Sequence, residues 1–64
     1  MEDYQKRVIE EKNDIDKKLY NLGIFLDSKF CAENVADPEL KRLKRQKKIM
    51  ELYSDVLAER IDAF

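Results

Sequence analysis

The chain has 64 residues, 44% of them hydrophobic and 42% charged, with one glycine, one proline, one cysteine, no histidine and a formal net charge of -1. A chain this short makes one domain at most and buries only about 60% of the surface its unfolded form exposes, so a lone core is marginal. One cysteine excludes an internal disulfide, and the lack of histidine and of further thiols excludes a structural zinc site, which leaves association as the remaining support.

High charge with almost no glycine or proline fits long helices and argues against a sandwich or barrel. The acidic opening Met1-Glu2-Asp3-Tyr4 carries no signal-peptide pattern, and no apolar run approaches a membrane span. A cytoplasmic protein without a membrane partner and without a cofactor is expected.

A first helix is expected over about residues 3–28. Its apolar positions Tyr4, Val8, Ile15, Leu19, Leu22 and Leu26 fall on one stripe, with Lys12 in the stripe position between Val8 and Ile15. The pairs Lys6–Glu10, Arg7–Glu11 and Asp14–Lys18 stand four residues apart on the exposed side. A linker over about 29–37 follows, carrying Phe30, Cys31, Asn34 and Val35. Asp37-Pro38-Glu39 then reads as a helix start, with Asp37 as the capping residue.

The second helix is expected over about 38–63. Two helices of about 26 residues reach about 39 Å each and can pack antiparallel along their lengths. The whole chain, 1–64, is thus read as an all-α, antiparallel two-helix hairpin. At 100° per residue, Leu43, Ile49, Met50, Leu52 and Tyr53 share an arc with Val56, Leu57, Ile61, Ala63 and Phe64 over about half the helix circumference. One neighbouring helix cannot cover an arc of that width. The hairpin is therefore expected to assemble into a homo-oligomeric helical bundle; the alternative is a monomer whose linker folds over the excess.

The segment from Lys41 to Lys48 holds six of the thirteen positive charges and no acid, leaving seven cations against fourteen acids elsewhere. Helical geometry groups Lys41, Lys44, Arg45 and Lys48, with Arg42 and Lys47 pointing elsewhere. Cations near a helix N-terminus oppose the dipole, so something should offset them. Acids of helix one, from the same chain or a neighbour, are one account; a bound phosphate is the other. The acidic remainder disfavours duplex nucleic acid.

Lys12, Gln46 and Arg60 interrupt the apolar arcs. They either set register and oligomer choice or line a pocket between subunits, where tyrosines such as Tyr53 stack a base. Cys31, beside Phe30 and with no histidine to activate it, reads as a small buried apolar group. No nucleophile–base pair and no glycine-rich phosphate loop is present, and a non-enzymatic protein is expected.

The run Tyr4-Gln5-Lys6-Arg7-Val8-Ile9-Glu10-Glu11-Lys12, followed by Leu19, Leu22 and Phe25, resembles a family of small phage-encoded helical-hairpin proteins first noticed in crAss-like bacteriophages. Leu43, Gln46, Met50, Tyr53, Leu57, Arg60, Ile61 and Phe64 match the family's pattern in its second helix. The resemblance implies a viral setting, a place in the host-cell cytoplasm and a counter-defence role, but carries over no active residue. In size and architecture the chain is also similar to phage nucleotide sponges, which hold signal molecules between subunits. The leading expectation is a binding protein that sequesters a cyclic or ADP-ribose-type nucleotide in a homo-oligomer. An inhibitor directed at a host defence protein, of the anti-CRISPR kind, and a phage structural or assembly protein are the alternatives.

Overall fold

A sequence whose one proline, Pro38, falls in the first turn of a helix and whose β-branched residues are scattered gives helix almost throughout. The computed structural model describes residues 1–64 and contains α1 (Asp3–Leu26), α2 (Lys29–Asn34) and α3 (Asp37–Asp62), with no strand. At α1 the Glu2 backbone N–H donates to Gln5 Oε1 at 2.9 Å, which satisfies one of the helix's free donors.

Ser28 ends α1 and begins α2. Its backbone is extended, its hydroxyl donates to the Phe25 carbonyl at 2.6 Å, and the same oxygen accepts the Cys31 N–H at 3.1 Å. One side chain thus closes the first helix, which stops at Leu26, and caps the second. The expected linker therefore contains a helix of its own. Cys31 is buried in it at 1% exposure, while Phe30 stays 63% exposed and tilts against Phe25 with ring centroids 6.3 Å apart. α2 packs chiefly on α1. The linker therefore leaves the excess arc of the second helix uncovered.

α3 begins differently from the sequence expectation. Ala36 is the N-cap, and Asp37 is already the first helical residue and makes no capping hydrogen bond. The Ala36 carbonyl accepts from Leu40 N–H at 2.9 Å, starting the ladder one residue earlier. Asp37 and Glu39 act only as first-turn acids that complement the dipole, and Pro38 occupies a position that needs no donor.

The two long helices pack antiparallel into a rod of 47 × 15 × 13 Å. α1 lines the seam with Val8, Lys12, Ile15, Leu19, Leu22 and Leu26, and α3 with Leu40, Leu43, Lys47, Met50, Ser54, Leu57 and Ile61, all buried or half-buried. Both rows alternate steps of three and four residues, the spacing of a coiled-coil seam. Leu57 is fully covered at 0% exposure, Val8 at 4% and Met50 at 9%. At the open end Tyr4 and Phe64 meet edge to face, 6.0 Å between centroids and 80° between planes.

Candidate functional site

The seam separates two sets of α3 residues that the sequence places on one arc. Met50 and Leu57 are buried within the hairpin, and Leu43 and Ile61 are half-buried in it, so these four line the seam between α1 and α3. Phe64 is engaged by Tyr4. Ile49, Leu52, Tyr53 and Val56 remain 59%, 54%, 40% and 52% exposed and form a second stripe on α3. The arc looks continuous because Ile49, Tyr53 and Val56 each adjoin a seam position in sequence, and helix one covers only the seam side.

Lys12 sits in the seam at mid-length and is paired. Its ammonium donates to Asp16 Oδ2 and to Ser54 Oγ, both at 2.9 Å, and the Ser54 hydroxyl donates to Asp16 Oδ1 at 2.6 Å. This closed triangle ties α1 to α3. The Ser54 hydrogen bond, and next the Lys12 ammonium, hold the Asp16 carboxyl below its ordinary value of 3.8. Asp16 and Ser54 escaped the sequence reading, although Asp16 lies four residues after Lys12 and Ser54 takes the seam position between Met50 and Leu57.

Within one chain Lys12 stands apart from Gln46 and Arg60, the other two candidates for a pocket between subunits. Gln46, Tyr53 and Arg60 are instead aligned at seven-residue spacing along one exposed shoulder of α3, successive members about 10 Å apart. The shallow groove beside Tyr53 is lined by Arg7, Lys18, Glu10, Glu11, Asp14 and Ile15. Three acids against two cations make that groove a poor receptor for phosphate. The Lys6–Glu10, Arg7–Glu11 and Asp14–Lys18 pairs are not formed within ion-pair distance; the pairs present are Lys12–Asp16, Lys29–Glu33, Glu39–Arg42 and Lys47–Glu51. Exposed pairs of this kind gain little over separate solvation, so their rotamers are weakly determined.

Lys41, Lys44, Arg45 and Lys48 are all exposed, and none makes an ion pair within the chain. Arg42 is held by Glu39 at 2.8 Å and Lys47 by Glu51 at 3.2 Å, so these two stand apart from the group, as helical geometry predicts. Antiparallel packing sets the basic segment alongside the end of α1 that runs from Lys17 to Leu26 and contains no acid. Helix one of the same chain therefore does not neutralise the patch.

No group of histidine, cysteine, aspartate or glutamate side chains is placed to hold a metal ion, and no helix is long and apolar enough to cross a membrane. No curated protein and no solved structure matches the chain. The family model that does match, described as Sequestin, aligns with residues 2–63, spanning both long helices and the turn between them. The chain belongs to the Sequestin family.

Proposed function

We infer that the protein is a non-catalytic sequestering protein that takes a small phosphorylated nucleotide out of solution. The observation that carries this reading is the group Lys41, Lys44, Arg45 and Lys48, exposed and without acid partners on a chain whose remaining charge is negative. Cations held near one another on a helix repel, and a phosphate relieves that repulsion while accepting charge-assisted hydrogen bonds. The family name is compatible with a sequestering role.

A cyclic oligonucleotide or an ADP-ribose derivative supplies the two or more phosphates that such a row of cations accommodates. In the phage setting implied by the sequence resemblance, the ligand is a nucleotide immune signal and the protein a counter-defence factor in the host cytoplasm. Sequestration needs stoichiometric binding and no turnover, which suits a chain without a nucleophile–base pair. Native mass spectrometry of the protein purified from cells producing such signals tests the reading. A retained nucleotide, released intact on denaturation, supports it; a nucleotide-free protein bound to a host polypeptide overturns it.

The second reading is an inhibitor that docks on a host defence protein. The open stripe of Ile49, Leu52, Tyr53 and Val56 favours it, because an exposed apolar helix face is a common partner surface.

A further inference from the structure

We propose that the exposed α3 stripe is covered by a second copy of this chain lying antiparallel, so that Arg45 of each copy is set beside Arg60 of the other. The first observation is charge. Residues 17–50, the half of the rod at the turn, carry nine Lys or Arg against four Asp or Glu, whereas the half at the termini carries four against ten. The rod is therefore an electric dipole with about +5 at one end and -6 at the other, on an axis of 47 Å.

Two such rods side by side in parallel place like charges together along their whole length, while antiparallel rods place each basic half on an acidic half. The second observation is position. The sign of the charge changes between Met50 and Glu51, and Ile49, Leu52, Tyr53 and Val56 bracket that boundary. A two-fold axis through the middle of the stripe satisfies both the apolar contact and the charge pattern. Sliding the stripes far apart loses the apolar contact and carries basic halves past acidic ones.

With the axis between Leu52 and Tyr53, Ile49 faces Val56 of the second copy and Leu52 faces its Tyr53. Continued outward by four residues, the same register brings Arg45 level with Arg60 of the second copy. The two arginines lie within the shared face, with Glu59 of each copy on its flank. Each symmetric pair thus carries two guanidinium clusters, one at each end of the interface, and each fits an anionic group of a ligand.

The pairing stands independently of the nucleotide reading; the use of the arginine clusters rests on it. Cysteines introduced singly as Ile49→Cys and Val56→Cys report the register without any nucleotide present. Under mild oxidation a mixture of the two full-length variants is expected to give the mixed disulfide dimer, with little cross-linking of either variant to itself. Cross-linking of each variant only to itself means a parallel pair and overturns the proposal. Absence of any cross-link overturns it too, provided sedimentation equilibrium of the unmodified protein shows a monomer. Val56→Glu, exposed and outside the seam, is expected to abolish the dimer while leaving the helical circular dichroism unchanged, and a dimer that survives it contradicts the proposal. If the pair forms but phosphate and nucleotides fail to bind it, the arrangement stands and the ligand reading falls.

Discussion

Lys12 on α1 and Ser54 on α3 are joined across the hairpin by a 2.9 Å hydrogen bond, with Asp16 bound to both. In a seam that is otherwise mainly apolar, a polar triangle at mid-length penalises every other register, because a shift leaves its members without partners. Ser54→Ala is expected to lower stability by about 1 kcal/mol. Ser54→Ala combined with Asp16→Ala should cost less than the sum of the two single changes in denaturant unfolding, since the residues share a bond. Strict additivity would mean the triangle is not formed.

The same group makes an acid-limb prediction. Asp16 has a folded-state pKa below its ordinary value, so its contribution to stability is fully present above about pH 4 and is lost as the pH falls through the lowered value. Asp16→Asn should flatten the fall in stability below about pH 4 relative to the unaltered protein, measured by thermal unfolding at a series of pH values. Equal acid sensitivity in the two proteins would contradict the assignment.

Gly23 lies inside α1 with an ordinary helical backbone, and a methyl group added there would sit 3.8 Å from Lys47 Cε, in plain van der Waals contact. Gly23→Ala therefore removes helix-interior flexibility at no steric cost and is expected to stabilise the protein by about 0.5–1 kcal/mol. Destabilisation in chemical unfolding would show that the helices approach more closely at this point.

The turn offers a paired comparison. Ser28→Ala loses a hydroxyl that serves Phe25 and Cys31 and should cost about 1 kcal/mol. Asp37→Ala loses only a first-turn charge and should cost about 0.3 kcal/mol. The reverse order, read by thermal unfolding of the two variants, would restore Asp37 as the cap.

The helices and their antiparallel partnership are legible in the sequence because apolar steps of three and four persist through both segments and one proline marks the start of the second. Ser28 as a double cap and α2 as a helix are not legible: a six-residue helix leaves no periodic signal, and its existence depends on packing Cys31 against α1. The cap at Ala36 was hidden by Asp37, whose residue type suits a cap one position further on. Within the candidate site, composition alone reveals the unpaired cations of the basic segment. The division of the broad arc into a seam with Leu57 and an open stripe with Val56 required knowing which face meets α1, and the capture of Lys12 required the register that brings Ser54 opposite.

The central claim, that the cations of α3 hold a small phosphorylated nucleotide, is tested most directly by isothermal titration calorimetry. Cyclic di- and trinucleotides and ADP-ribose derivatives are titrated into the unaltered protein and into the Lys44→Glu, Lys48→Glu and Arg60→Ala variants. Stoichiometric binding of at least one of these ligands is expected, weakened by added salt as phosphate contacts are screened, and lost on charge reversal in the basic segment or on removal of Arg60 while the helical fold persists. No heat from any of these nucleotides with the unaltered protein would contradict the claim and leave the exposed stripe of α3, as the docking face for a host protein, to explain the function.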